Sequence, residues 1–399
     1  MGEWKEYRFP DFAEINPPVK LNKGEQYSFV EMKDLSDGQK YCLPSIERKL
    51  TGGSRFNEGD TLFARITPCL ENGKICQARG LKGSIGFGST EFLVFRGKNG
   101  VSDNDFVFYL SRWNEVRAFA EMNFDGTSGR QRVPKDAFNN LFLDLPELPE
   151  QKSIASILSS LDDKIDLLHR QNKTLEALAE TLFRQWFVPA CRDVHGAGRE
   201  EAEAGWESVS LYDAIELVGG GTPKTEVAEY WDGNIKWISA RDITPNHKGF
   251  IAETEKKITE LGLDNSSTKI LSKYSTVISA RGTVGKYCFL SEDMAFSQSN
   301  YGIKPRYKDC YFFTYLLTAH SVEELQAAAY GSVFDTITTN TFKEHKITVP
   351  TAAEIQSFEE SIRPYFEKML SNCTQIRSLT RLRDTLLPKL MSGEVRVEN

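Results

Sequence analysis

The sequence predicts an α+β protein: two mixed α/β globular domains separated by two long helices that form an antiparallel intramolecular coiled coil with pseudo-two-fold symmetry. Three observations predict it. Apolar residues in steps of four and three run through Ile154, Leu158, Leu161, Ile165, Leu168, Asn172, Leu175, Ala179, Leu182 and Trp186, an uninterrupted heptad seam. A second seam in the same phase lies 204 residues further on, at Phe358, Ile362, Tyr365, Met369, Asn372, Ile376, Leu379, Arg383, Leu386 and Leu390. Before each seam stands a block of short β-branched and aromatic runs bounded by Gly, Pro and Asn.

The two seams match beyond hydrophobicity. Pro146, Ser153, Lys164, Gln171, Leu175, Thr181 and Leu182 meet the same residue types at Pro350, Ser357, Lys368, Gln375, Leu379, Thr385 and Leu386. Any coiled coil would share leucines, but not the flanking Pro, the Gln and the Thr-Leu pair. One helix is therefore read as a duplicate of the other, and each as the other's partner.

At 399 residues the chain suits two or three self-sufficient domains. The layout read from the pattern is a first globe over 1–146, a helical region over 147–188, a linker over 189–205, a second globe over 206–350, and a second helical region with its tail over 351–399. A hydrophobic share of 40% with 26% charged residues is an ordinary soluble balance. No run of about 18 apolar residues exists, so no membrane span is expected, and the N-terminus has no apolar signal region. Seven cysteines, an odd number without a Cys-x-x-Cys pair, point to a reduced cytoplasmic protein and away from a zinc site.

Taken in order, the first globe reads as strands over Phe29 to Leu35, Thr61 to Ile66, Lys74 to Ala78 and Glu91 to Phe95. A helix is expected over Asp103 to Met122, followed by a polar loop, Gly126-Thr127-Ser128-Gly129-Arg130-Gln131-Arg132, and a strand from Asn140 to Leu145. The first long helix opens at Pro149 with Glu150 beside it, runs about 57 Å to Phe187 at 1.5 Å per residue, and stops before Pro189. The acidic stretch with Gly196, Gly198 and Glu200-Glu201-Ala202-Glu203 reads as an exposed linker. The second globe retraces the first: Trp206-Glu207 matches Trp4-Lys5, Ile238 to Ile243 matches Val30 to Leu35, Ala280-Arg281 matches Ala64-Arg65, Tyr315-Leu316 matches Tyr109-Leu110, and Gly331-Ser332 matches Gly126-Thr127. In the second long helix, Pro364 is placed to kink the early part and Pro388 to mark a fraying end.

This globe, helix, globe, helix order resembles the specificity subunit of Type I restriction-modification systems, from end to end. The motifs that carry the resemblance are Leu148-Pro149-Glu150-Gln151-Lys152, Gly219-Gly220-Gly221-Thr222-Pro223 with Tyr230-Trp231-Asp232-Gly233 and Trp237-Ile238-Ser239, and the run from Ile278 to Lys286. The first globe departs from the pattern, since it lacks the triple-glycine loop. The resemblance implies two target-recognition domains, each reading one half of a split site in double-stranded DNA, with helix length setting the spacer. It also implies two methyltransferase (modification) subunits and restriction subunits as partners, which would bring S-adenosylmethionine, ATP and Mg, with no cofactor in this chain. A protein-protein adaptor with the coiled coil as spacer is the alternative, but it leaves the Arg-bearing loops of both globes without a purpose.

Net charge is −7. Residues 1–146 carry 20 basic and 20 acidic side chains, residues 206–350 carry 15 and 18, and the remainder 14 and 18, so phosphates would be held by local patches. Base edges are read chiefly by Arg, Lys, Asn and Gln from loops on a rigid scaffold. The candidates are Arg65, Lys74, Arg130, Gln131 and Arg132 in the first globe, and Lys224, Arg241, Arg281, Lys286 and Gln298 in the second. Asn172 and Asn372 are the candidates for fixing the coiled-coil register, as two buried amides bonded to each other. Leu178 and Leu382, at matching positions outside the seams, are the candidates for subunit docking.

Nothing in the chain reads as catalytic. Asn16-Pro17-Pro18-Val19 approaches an adenine methyltransferase motif, but Val19 cannot stack on a flipped base. Ala280 to Tyr287 is a near miss for a phosphate-cradling loop, with Ala280 for the first Gly and Tyr287 where a magnesium-binding hydroxyl would stand. His169, His195, His247, His320 and His345 show no metal-ligand spacing.

Overall fold

The computed structural model describes residues 3–127, 129–188, 205–330 and 336–397. The expected linker up to Glu203, together with Ser128, His195 and Gly331-Ser332, lies outside them. The chain divides into two compact units, residues 1–170 with 374–399 and residues 171–373. Each holds one globe and one half of each long helix.

In the first unit, Lys5–Arg8 pairs antiparallel with Phe142–Leu145 and ties the ends of the globe together. A five-stranded sheet has the order Ala13–Ile15, Phe92–Gly97, Thr61–Ala64, Ile75–Ala78, Tyr41–Cys42, and a four-stranded sheet the order Ile46–Lys49, Gln26–Val30, Ile85–Gly88, Ser54–Asn57. The second unit repeats all three. Glu207–Ser210 pairs with Lys346–Val349, the larger sheet runs Ile215–Gly219, Asn300–Pro305, Thr276–Ser279, Tyr287–Leu290, Phe250–Ile251, and the smaller Lys256–Ile258, Trp231–Ile238, Met294–Phe296, Ile270–Leu271.

The larger sheets are buried on both faces, which is why their strands read as unbroken apolar runs. Phe63, Ile75, Leu93 and Phe95 turn toward one core with Phe106 and Tyr109, while the alternate residues Leu62, Cys76 and Val94 turn toward a second core with Phe56. The second unit does the same, with Ile278, Phe289 and Ile303 on one side and Val277, Cys288 and Leu290 on the other. The helix expected over Asp103 to Met122 is broken into Asn104–Arg112 and Asn114–Met122 by Trp113, whose ψ of 138° is extended. Its counterpart Tyr311–Tyr330 is continuous. The backbone N–H groups of Phe312 and Phe313 are capped by the buried carboxylate of Glu359, whose pKa burial pushes up to about 7.

The long helices run from Leu148 to Phe187 and from Ala352 to Met391. The second continues past Pro388, with Ser392 N–H donating to the Pro388 carbonyl at 3.0 Å, so Pro388 does not mark its end. Pro364 and Pro388 both lie on the exposed side, where water can satisfy the carbonyl that each leaves without a partner. Within each unit the helices are antiparallel. In the first, Ile154 and Leu158 share a core with Leu390 and Met391, while Asp162 further along meets Arg383. In the second, Asn172 meets Asn372, and Phe187 packs on Phe358 at 4.8 Å between ring centres. Burial is wider than a two-position seam: Ala155, Asp162, Phe183 and Phe187 are buried as well, because each helix faces a globe as well as its partner.

The joint between globe and helices differs between the units. In the first it is ionic and dry. Asp162 and Arg383, with side chains 2% and 3% exposed, pair at 2.6 Å; Tyr109 donates to Asp162 at 2.7 Å; Arg383 also donates to the Gly38 carbonyl at 2.6 Å. The positions 204 residues away from Asp162 and Arg383 are Phe366 and Ala179. There Tyr315, the counterpart of Tyr109, lies 5.8 Å from the Phe366 ring, and Phe312 stacks on Phe366 at 4.7 Å. Removing one member of a buried ion pair leaves an uncompensated charge. Arg383→Met, which strips Asp162 of its cation, is therefore expected to cost about 3–5 kcal/mol in urea unfolding; Asp162→Asn leaves Arg383 its second carboxylate, Asp384 at 2.8 Å, and should cost less. The double change Asp162→Phe with Arg383→Ala, which installs the other unit's solution at similar total volume, is expected to recover most of that loss. A double variant as unstable as either single one would refute this account of the joint.

Candidate nucleic-acid interface

In the first globe the end of strand Thr61–Ala64 and the loop before Val133 are laced together. Arg65 N–H donates to the Glu91 carbonyl at 3.0 Å, and Val133 N–H to the Arg65 carbonyl at 2.8 Å. Thr67 N–H donates to the Gln131 carbonyl at 3.0 Å, and the Arg132 guanidinium grips the Glu91 carboxylate at 2.8 Å. Arg65, Gln131 and Arg132 are thus brought together, with Arg130 exposed beside them. Lys74 is half-buried and its ammonium donates to the Met32 carbonyl at 2.8 Å, which ties it to the interior of the globe. Glu91, the anchor of this arrangement, was not singled out in the sequence; its place at the head of an apolar strand was the available sign.

In the second globe the turn over 280–286 follows strand Thr276–Ser279. Thr283 N–H donates to the Arg281 carbonyl at 3.1 Å and Gly285 N–H to the Ser279 carbonyl at 2.9 Å. A strand, Tyr287–Leu290, follows this turn, whereas a phosphate-cradling loop would open a helix. Ala280 N–H donates to the Ser299 carbonyl at 2.9 Å, placing Gln298 alongside, and Gln298 in turn accepts from the Thr222 hydroxyl. The Thr283 and Thr244 hydroxyls meet at 3.1 Å, which adds the short helix Ala240–Ile243 that carries Arg241. Lys224, whose carbonyl accepts from the Trp231 indole at 3.2 Å, completes the group. Lys224, Arg241, Arg281 and Gln298 are exposed. Lys286 instead lines a cavity of about 250 Å³ with Glu180, His247, Lys248 and His320. Burial there lowers the His247 pKa, and the nearby Lys286 lowers it further.

One equivalence read from the sequence needs correction. Ala64 pairs with Phe92 and Ser279 with Asn300 across homologous strands. The carbonyls of Glu91 and Ser299 then accept from Arg65 and Ala280 respectively. Arg65 therefore corresponds to Ala280, and Arg281 stands one residue further on. Both arginines lie past the strand ends, Arg65 at the first position and Arg281 at the second; Arg65 has a buried Nε without a hydrogen-bond partner among the described residues, whereas Arg281 is exposed.

The triple-glycine loop and the Asn16-Pro17-Pro18-Val19 segment occupy the same place, since Ile15 pairs with Phe95 as Leu217 pairs with Ile303. Gly221 lies so close to the segment before strand Ile270–Leu271 that a Cβ would stand 2.2 Å from the Thr268 nitrogen, and its carbonyl accepts from the Trp237 indole of the sheet at 3.0 Å. In the first globe Asn16 instead accepts from Val94 N–H at 3.0 Å, and Val19 packs against the cluster that holds Leu21 and Phe87. That motif is a structural turn. Away from the sheets, the Asn372 amide donates to Asn172 Oδ1 at 2.8 Å, and Leu178 and Leu382 are each 47% exposed.

The fold and these loops define a two-headed binding protein, with matching polar surfaces at the ends of homologous sheet strands. The chain belongs to the family described as the Type I restriction modification DNA specificity domain, whose model matches residues 1–177 and 203–374. It is 25% identical over 465 residues to the Type I restriction enzyme HindI specificity subunit of Haemophilus influenzae, across 99% of this chain and 100% of that one. It is 32% identical over 188 residues to the EcoAI specificity subunit of Escherichia coli, across 45% of this chain and 32% of that one. Its fold is similar to the crystal structure of the Type I restriction-modification system S subunit from M. genitalium, with a TM-score of 0.57 at 13% identity, covering 97% of this chain and 96% of that one. Among the described residues no helix is long and apolar enough to cross a membrane.

The seating of the loop can be tested. Gly221→Ala is expected to cost about 1–3 kcal/mol in chemical unfolding through overpacking. Gly219→Ala, with nothing within 4 Å of its Cβ, should stay within about 0.5 kcal/mol of the parent protein. Equal effects would mean that the loop is not held against the sheet.

Proposed function

We propose that the chain is the sequence-specific DNA-recognition subunit of a Type I restriction-modification complex, each globe reading one half of a bipartite site and helix length setting the spacer. The observation that carries this reading is the recurrence, in two globes of the same topology, of a polar loop cluster after the same sheet strand, with Arg65 at its start in one and Arg281 one residue further on in the other. Exposed Arg, Lys and Gln side chains on a rigid sheet are suited to base edges and phosphates. In this reading the subunit is non-catalytic by family. Chemistry and its requirements, S-adenosylmethionine, ATP and Mg, belong to two methyltransferase subunits and to restriction subunits. Leu178 and Leu382, exposed apolar side chains at matching positions, are proposed as docking points for the former.

Selection of bound duplexes from a random library, with the full chain in complex with its modification partner, tests the proposal. The expected result is a motif in two halves with a fixed gap. One heptad inserted into each long helix should change the gap and leave both half-motifs unaltered; an unchanged gap would remove the ruler from this account.

Asn172 and Asn372 are proposed to set the helix register. Asn372 is fully buried and its Oδ1 has no hydrogen-bond partner among the described residues, an arrangement that costs stability and supports a role in specificity. Replacing both with Leu should raise the melting temperature while producing mixed oligomers in sedimentation. A monodisperse variant with the original gap would defeat the assignment.

A further inference from the structure

The smaller sheet of the first globe packs Leu21, Leu50 and Val19 over Phe87 and Phe29, but leaves a groove at the rim of that face beside its edge strand. Its edge strand Ile46–Lys49 is exposed at all four residues, and beside it lies a groove of about 740 Å³. Phe29 and Phe87, 4.8 Å apart, are among its lining residues, with Gln26, Arg48, Ser89 and Thr90. The fold does not require this space. Tyr27 pairs with Arg48 as Ile235 pairs with Ile258, so Arg48 corresponds to a fully buried isoleucine. The same face of the second globe is filled by Trp231 against Trp237, 5.3 Å apart.

Arg48 is held for recognition. Its guanidinium lies 4.7 Å over the Phe29 ring, which fixes the plane and leaves the hydrogen-bonding edge available. It forms no salt bridge among the described residues. The carboxylates around it are engaged elsewhere: Glu47 with Lys82 at 3.1 Å, Glu31 with Lys33, and Glu91 with Arg132 at 2.8 Å. Ser89 and Thr90, which line the groove, immediately precede Glu91, the residue that anchors Arg132.

We infer that this groove receives base edges of the half-site read by the first globe, with Arg48 as a specificity-determining residue. The inference rests on the DNA-recognition reading above. At the matching position the second globe has the buried Ile258, and the cation of its edge strand, Lys256, lies over Trp231 instead, so the loss of an arginine fork at this place belongs to one half-site only.

The test compares Arg48→Ala and Arg48→Lys with the parent chain, each in complex with its modification partner, by selection from a random duplex library and by thermal melting. Arg48 stands on an exposed edge, and both variants should melt with the parent. Arg48→Ala should lower the preference for the favoured base pair at one or two positions of a single half-motif roughly ten- to a hundredfold, with the other half intact. Arg48→Lys, which keeps the charge but not the planar fork, should lose most of the same preference. An unchanged motif in both variants, with or without a uniform loss of affinity, would overturn the inference. A parent complex that enriches no motif would instead overturn the reading on which the inference rests.

Discussion

The Asp162–Arg383 pair is the constraint on which the first unit depends. It lies where a globe meets both helices, and Tyr109 and Gly38 converge on it from separate parts of the chain. Taking two charges out of water is costly, and the cost is offset only when each remaining donor and acceptor finds a partner. That demand makes the joint directional: a globe rotated by a small angle would lose several charge-assisted bonds at once. A loop that must meet DNA bases can be no better placed than the scaffold beneath it. In the second unit Phe366, Phe312 and Tyr315 occupy the corresponding space, and there close packing of rings supplies the definition.

The two joints nonetheless share a clasp. Trp4 donates from its indole to Glu150 at 3.3 Å, and Trp206 does the same to Glu354 at 2.9 Å. In both units this links the first residues of the globe to the first turn of a long helix. The clasp marks where the helix starts, whereas the filling further along is free to be ionic or aromatic. A similar division holds within the sheets. Strand order is identical in the two globes, yet one closes its smaller sheet with glycines and tryptophans and the other crosses the same place with Pro17, Pro18 and Val19.

How much of this was legible in the sequence follows from burial. The helices were, because a heptad seam and its copy at constant offset survive in any register. The three inner strands of the first globe's larger sheet were, because burial on both faces makes them continuous apolar runs; the short edge strands Ala13–Ile15 and Tyr41–Cys42 were not, and the strand expected over Phe29 to Leu35 ends at Val30, before the turn Met32–Asp34. Ile46–Lys49 was not: Ile-Glu-Arg-Lys alternates no more than a loop does, and its exposed residues have no core to mark them. Trp113 was read as one more apolar helix position, although it ends one helix and begins another. Phe183 and Phe187 are buried more deeply than Leu182 and Trp186, because the globe draws the helix face round by one residue. The match of Arg65 with Arg281 failed for a related reason. The Ala-Arg dipeptide is shared, but the hydrogen-bond register sets Arg65 against Ala280 and leaves Arg281 one position further into its loop.

The net charge of −7 is the property that most opposes a DNA-binding role, and its weight depends on where the acidic groups are engaged. Asp60 is bound to Arg96 at 2.6 Å, Glu150 to Arg396 at 2.6 Å and Asp162 to Arg383, all within the first unit. A carboxylate matched to a buried or adjacent cation contributes little field beyond about a Debye length of 8–10 Å. What a phosphate encounters is the unmatched remainder. On the loop face of the first globe that remainder includes Arg48, Lys49 and Arg130, with Glu47 and Glu91 already neutralised. A net negative charge is therefore compatible with local cationic surfaces on the same globe.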